Sequence, residues 1–300
     1  MKFHISVPLL AFFKKSPLLL TMREVLRKDK FAMFSLAIIL LITFFAIFAD
    51  YIAPFPYYYQ DLSHSLTPPG VSLQYLLGTD HLGRDIFSRI IYGTRIILYE
   101  IIFATFISVS VGILLGVVSG YLGGAFDYLF SRFIDILLSF PSLLLAIAFI
   151  GLLGTGLNNA IVAVAISQIG VVARLARGQI VQAKKSTYVE VEKMMGASGL
   201  RIMFLHIMPD IAGPLLVQIT FNMADALLSI SGLSFLGLGA QPPTPDWGTM
   251  VYEGRLYLSS MPHASLIPGL CLLIVALSLN VMGETLRDCL DPKVRALLIK

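Results

Sequence analysis

Residues 187–210 read TYVEVEKMMGASGLRIMFLHIMPD, a charged and glycine-punctuated segment set between two long apolar stretches. On its N-terminal side residues 161–172 are almost unbroken apolar sequence, and on its C-terminal side residues 211–238 hold a single acidic residue, Asp225. A polar segment this long between two apolar ones exceeds what a connector needs, and connections of this kind usually carry function. Its internal pattern is specific. Thr187 with Glu190 three residues on makes the S/T-x-x-E arrangement, which predicts a capped helix over residues 188–195. The run Gly196-Ala197-Ser198-Gly199 then interrupts that helix with residues suited to a sharp turn. Helical spacing resumes over 200–207 and is expected to stop at Pro209. The segment therefore reads as two short helices joined by a turn, a compact knob suited to a groove on a partner protein.

Composition sets the class around that knob. The chain is 57% hydrophobic and 13% charged, with a mean hydropathy of +0.82, whereas charged residues make up about 25% of soluble domains. It reads as a polytopic membrane protein whose first partner is the lipid bilayer. Six stretches approach the ~20 apolar residues that cross a bilayer: 31–49, 96–118, 128–153, 157–172, 211–236 and 266–283. The fourth is short and is expected to extend beyond Arg174. The apolar run at 7–13, broken by Pro8 and followed by Lys14 and Lys15, is too short to span and is expected at the interface. The first long run lacks a small-residue cleavage site and reads as an uncleaved span.

Basic residues give the orientation. Lys2, Lys14, Lys15, Arg23, Arg27, Lys28 and Lys30 precede the first span; Arg174, Arg177, Lys184, Lys185, Lys193 and Arg201 surround the knob; Arg287, Lys293, Arg295 and Lys300 close the chain. The alternate connections carry only Arg84, Arg89, Arg95 and Arg255. The positive-inside rule then puts both termini and the knob in the cytoplasm. The same rule accounts for the net charge of +4, so nucleic-acid binding is not expected.

No catalytic pattern is present in the sequence. There is no phosphate loop, and no Gly-Lys pair at all, and neither G-x-S-x-G nor H-E-x-x-H occurs. Cys271 and Cys289 fall in different environments, and His4, His64, His81, His206 and His263 are scattered singly, so no metal site or disulfide is expected. Any ATP-driven work has to be done by another polypeptide. An ion-coupled secondary transporter is the competing class, but no internal repeat is found and few charges in the spans lack a partner.

The segment at 187–210 resembles the E-A-A-x3-G-x9-I-x-L-P loop of ABC-importer permeases, which docks into a cleft of the ATPase subunit. Glu190, Gly196 and Pro209 match, while Val191 and Glu192 stand at the two alanines, His206 at the isoleucine and Met208 at the leucine. LGTDHLGRDIFSRIIYGTRIIL at 77–98, SFPSLLLAI at 139–147, SFLGLGAQPPTPDWGTM at 234–250 and LRDCLDPK at 286–293 are similar to the second permease subunit of the peptide/nickel-type importers, oligopeptide and dipeptide permeases among them. The resemblance implies an all-α fold of six transmembrane helices, of the type I ABC-importer permease kind, with a cytoplasmic coupling-helix loop. It implies a bacterial inner membrane location, a heterodimer with a homologous permease subunit, one or two cytoplasmic ABC ATPases that carry ATP and Mg²⁺, and an external substrate-binding protein. This chain itself would bind no cofactor. Cargo would be di- or oligopeptides, with nickel, a metal-chelator complex or glutathione as alternatives.

On this reading the chain divides into an arm at 1–30, a first span at 31–50, an external loop at 51–95, a core at 96–286 with a coupling loop at 177–210 and an external loop at 237–265, and a tail at 287–300. ATPase coupling is expected of Tyr188, Val189, Glu190, Glu192, Gly196, Ala197, His206 and Pro209. Asp225, deep in the fifth span and with no partner in its own helix, is expected at the path or at a subunit interface. Gly112 and Gly116, spaced four apart with Gly120 and Gly124, read first as a helix-packing stripe and otherwise as path lining. Arg132 and Asp135, three apart, can pair on one helix. Asp80, Gly83, Arg84 and Asp85 form an external polar cluster in which Asp80 is expected to cap the following helix. The segment 241–247, stiffened by three prolines, reads either as a docking surface for the binding protein or as a plug beside the pore.

Overall fold

The computed structural model describes residues 29–290; the expected interfacial arm and most of the tail lie outside the described residues. Ten α-helices are built along it: α1 Lys30–Ile52, α2 Ile86–Leu122, α3 Gly124–Leu138, α4 Ser142–Leu153, α5 Leu157–Ala183, α6 Thr187–Met194, α7 Gly199–Ile202, α8 Met208–Phe235, α9 Trp247–Gly254 and α10 His263–Leu290. Among the described residues five lengths are long and apolar enough to cross a membrane, and the bent pair α3 and α4 counts as a sixth when taken as one broken span.

Three expected boundaries are corrected. The helix of the second span begins at Ile86 rather than 96, because the charges that looked like loop residues are paired: Arg95 Nη2 lies 2.8 Å from Asp50 Oδ2, and Arg89 Nη2 lies 3.3 Å from Glu253 Oε2. The third span is not one helix but bends by 93° between Leu138 and Ser142. Pro141 has no N–H to donate and disfavours a helical Phe140 before it, so the helix stops and restarts there. The third correction concerns Pro209. The chain does not stop there; Gly199–Phe235 runs as one 37-residue length. Residues Met203–Ile207 form a π turn in which the Met208 N–H reaches Met203 O, and this widened turn takes up the missing donor and the ring of Pro209.

Lipid gives helices no hydrophobic reason to associate, so they meet through small residues. On α5 the buried positions include Ala160, Ala163, Ala165, Ser167, Gly170, Ala173 and Ala176. Facing them along α2 are Gly112, Gly116 and Gly120. A β-carbon on Gly112 would stand 2.7 Å from Val172 Cβ, and one on Gly116 would collide with the Ala173 carbonyl and stand 2.8 Å from Ala176 Cβ. The stripe is therefore consumed by packing inside this chain, and the path-lining alternative for Gly112 and Gly116 is set aside. α1 shows the opposite face of the same rule: Ala32, Ser35, Ala46 and Ala49 are buried, while Phe34, Leu40, Phe44 and Ile47 point outward.

One end of the bundle carries residues 187–210, here the proximal end; the other, distal end is closed by the stretch from Gln241 to Gly254. That stretch is no free loop. Trp247 is fully buried, its Nε1 donates to Ile90 O at 3.2 Å, and it packs with Ile97, Ile101, Leu227 and Met250.

Replacing Gly116 with leucine is expected to force α2 and α5 apart and to destabilise the protein by about 1–3 kcal/mol, read as a lower thermal midpoint of the purified protein. Gly178→Ala on α5, where the new β-carbon meets nothing within 4 Å, is expected to leave the midpoint unchanged or raise it.

Candidate functional site

The proximal segment is built on the bundle, not hung from it. Val189 of α6 and Ile202, Met203 and Ile207 of the following turns are buried with Val117, Ala176, Ile180, Ala183, Ile211 and Leu215, residues of α2, α5 and α8. The helix starts at Thr187, its expected cap and one residue earlier than expected. Ser186 occupies the N-cap, Thr187 is already helical, and no side chain caps the helix; the Ser186 hydroxyl instead donates back to Ala183 O at 2.5 Å. Thr187 and Glu190 therefore do not form the expected capping box. Gly196 makes the turn with φ +81°, a left-handed conformation that costs other residues roughly 1–2 kcal/mol. Ala197 follows it, half-buried against the same cluster.

Much of what faces outward is apolar, with Lys193 and Arg201 exposed among it. Met194 is 85% exposed, and Val191, Met195, Leu200, Phe204 and Leu205 are exposed with it. Tyr188 stands at the edge, its hydroxyl donating to Asp210 Oδ2 at 3.1 Å, and burial raises its phenol above the usual range. Glu190 is exposed beside this patch. Glu192 and His206, the two residues that depart most in character from the resembled pattern, lie against each other, with His206 Nε2 3.4 Å from Glu192 Oε1. The extra carboxylate on α6 thus has its partner on the neighbouring turn.

A second arrangement lies halfway along the bundle. Gln168 of α5 is 3% exposed, and its Nε2 donates to Asp225 Oδ2 at 3.0 Å and to Asn222 O at 3.3 Å. Gln218 Nε2 donates to Asn222 Oδ1 at 2.7 Å. These side chains, with Ser142, Ser167 and Phe221, line a hollow of about 310 Å³. A second hollow of about 520 Å³ shares Gln218 and Phe221 and continues along α8 past Gly213 and Pro214 to Arg287 and Leu290 at the proximal end. Together they make one groove down a face of α8. The sequence reading found Asp225 but missed Gln168, Gln218 and Asn222. Their signal was available, because 218, 222 and 225 recur at helical spacing and put three polar side chains on one face.

The distal cluster is an ion network. Arg84 and Arg89 are each 1% exposed; Arg84 Nε lies 2.6 Å from Asp80 Oδ2 and its Nη2 2.7 Å from Glu253 Oε2. Asp80 is not the helix cap. Its Oδ1 accepts from Leu82 N and Arg84 N, closing the turn, while Asp85 caps α2 by accepting from Ser88 N at 2.8 Å. Burial raises the Asp85 carboxyl above its ordinary range, opposed by its Ser88 bonds. Gly83 is required where it stands, since a β-carbon there would strike the Asp61 backbone. Glu253, which joins both arginines, was missed because it lies 169 residues from Arg84. Near the proximal end Arg177 Nη2 donates to Asp127 Oδ2 at 2.7 Å, and Arg174 Nη2 lies 2.7 Å from Asp135 Oδ1. The expected Arg132 contact to Asp135 is longer, at 3.7 Å.

Comparison with known proteins fits this architecture. Residues 112–296 match the family of binding-protein-dependent transport system inner membrane components, and residues 16–69 match the N-terminal transmembrane domain of oligopeptide transport permease C. The chain belongs to this permease family. It is 42% identical over 273 residues to the dipeptide transport system permease protein of Haemophilus influenzae, covering 90% of this chain and 92% of that protein. It is 41% identical over 271 residues to the di/tripeptide transport system permease of Pseudomonas aeruginosa, covering 89% of each. It is also 41% identical over 273 residues to the glutathione transport system permease of Escherichia coli, covering 90% of this chain and 88% of that one. The matched span takes in the proximal segment, the groove on α8 and Glu253 of the permease.

Truncating Glu253 to alanine is expected to leave two buried guanidinium groups short of an acceptor and to destabilise the permease by about 3–5 kcal/mol, read from its thermal midpoint. For Glu192→Ala and His206→Ile, the two single losses are expected to exceed the loss in the double variant by about 0.5 kcal/mol. Strict additivity in a denaturation cycle would remove the pairing.

Proposed function

We propose that this permease forms half of the pathway of an ATP-driven importer for di- and oligopeptides, and that residues 187–210 dock into an ATPase subunit. The observation that carries the proposal is the exposed apolar surface of the proximal segment on a rigidly packed base. Met194, Met195, Leu200, Phe204 and Leu205 have no lipid to face if the segment stands beyond the spans, and this many large apolar side chains exposed within one short segment favours a protein interface. The sequence has no phosphate loop, so ATP and Mg²⁺ would be held by partner ATPases.

The packing supports transmission from that surface. Displacing the segment displaces Val189 and Ile202, which are close-packed on α2, α5 and α8 and cannot move alone. The 37-residue length from Gly199 to Phe235 joins the docking turn directly to the groove and to the distal end. ATP-driven closure of the ATPases would thus tilt the groove-bearing helices as a body and alternate its access, in the general manner of rocking bundles. Tyr188, Glu190, Glu192, Ala197 and His206 shape the docking surface, Gly196 sets its turn, and Pro209 sits where the segment joins α8.

The rest of the assembly follows from the same reading. A related permease subunit would complete the pathway by covering the open groove on α8, and a substrate-binding protein would deliver cargo at the distal end, where Gln241, Pro242 and Pro243 are exposed on a buried base. Membership of the permease family supports a bacterial inner membrane location, and the charge distribution favours both termini cytoplasmic. Peptides are the favoured cargo because the named relatives carry dipeptides, di- and tripeptides and glutathione, itself a tripeptide.

Gly196→Val is expected to strain the turn and to reduce both retention of the ATPase subunits on the purified permease complex and peptide uptake by about tenfold or more, with membrane insertion unchanged. Wild-type retention and uptake together would refute the docking role.

A further inference from the structure

The acidic side chains within the spans are not alike. Asp127 has Arg177, Asp135 has Arg174, and Asp50 has Arg95. Glu100 is sealed from solvent inside the core near Asp246. Asp225 is exposed on the groove midway along α8, and no basic side chain among the described residues pairs with it. A carboxylate at that depth is expensive in lipid and is retained where it faces a cavity and finds a partner there.

Its surroundings define that partner. Gln168 fixes one oxygen, and Gln168 is itself buried and held by Asn222 O, so the carboxylate is oriented rather than free to swing. A carboxylate has about four acceptor sites, and one protein donor occupies one of them. Asn222, 4% exposed on the same hollow, leaves its side-chain N–H₂ without an acceptor. Phe221 supplies an aromatic face beside them. An oriented, under-used acceptor, an unspent donor and an aromatic ring together suit a protonated amine with a carbonyl next to it. We infer that Asp225 is a specificity contact for the terminal ammonium group of the cargo as it passes the middle of the permease, with Asn222 placed toward the adjoining carbonyl.

This inference rests on the groove along α8 being the cargo path, and the experiment separates the two. In the assembled importer in nanodiscs, with Cys271 and Cys289 replaced by serine, a reporter is introduced as Ser142→Cys on the wall of the same hollow. Its labelling is timed with cationic and anionic methanethiosulfonates, alone and with alanyl-alanine or N-acetyl-alanyl-alanine. With Asp225 present, the cationic reagent is expected to react about fivefold faster than the anionic one, and alanyl-alanine, not its acetylated form, to slow labelling. Asp225→Asn is expected to level the two reagents and abolish that protection while the complex still purifies intact. Equal protection by both peptides, or protection that survives Asp225→Asn, overturns the ammonium contact and leaves the path in place. Absence of protection by either peptide in any variant overturns both. If Asp225→Asn releases the partner permease subunit from the complex, the carboxylate is an intersubunit contact and the inference is wrong.

Discussion

The contact of α2 with α5 along Gly112, Gly116 and Gly120 is the constraint on which the other features depend. In hydrocarbon, two helices gain nothing by hiding apolar surface from lipid, and their association rests on close packing. The absence of β-carbons on α2 lets the backbone of α5 come near enough for Ala173 and Ala176 to make that contact. Once α5 is seated, Gln168 is brought to α8 and the two arginines near its proximal end are brought to Asp127 and Asp135 of α3. The groove and the base of the proximal segment are consequences of one helix pair lying unusually close.

Charge is handled differently at the two ends of the bundle. Arg84 and Arg89 are almost wholly buried and share Asp80 and Glu253, an arrangement in which removing one partner leaves another charge stranded. It ties the turn before α2 to the end of α9 and so closes the distal end. The pairs of Arg174 and Arg177 are partly exposed and weaker. Glu192 and His206 belong to this second style. They add polarity to a proximal face rich in exposed apolar side chains and lie against each other, His206 Nε2 3.4 Å from Glu192 Oε1.

How much of this was legible in the sequence varied with the range of the interaction. Apolar length located the five long spans and the bent pair α3 and α4, because a bilayer demands that each crossing satisfy its own backbone and cover its own length. Gly196 was legible as a turn since its left-handed backbone is a local property. Local rules failed where neighbouring residues competed for one role: Ser186, not Thr187, stands at the N-cap of α6, and Asp85, not Asp80, caps α2. Asp80 was drawn into the arginine network instead. Pro209 was misread because the compensating π turn lies in Met203–Ile207, upstream of the proline. Arg89 and Arg95 hid the first ten residues of α2 because their partners, Glu253 and Asp50, come from other elements.

By itself the sequence determined that the protein is helical and membrane-spanning, that the 187–210 segment stands apart between two spans, and which residues make its turn. Those are consequences of composition, of segment length against bilayer thickness, and of backbone preferences that act over a few residues. Only the tertiary structure decided that the glycine stripe is buried against α5, that Glu253 holds two arginines, that Glu192 meets His206, and that Asp225 lies open on a groove with Gln168 behind it. Each of these joins residues on different elements, and pairing across elements depends on which helix faces lie in contact, a relation that local periodicity does not contain.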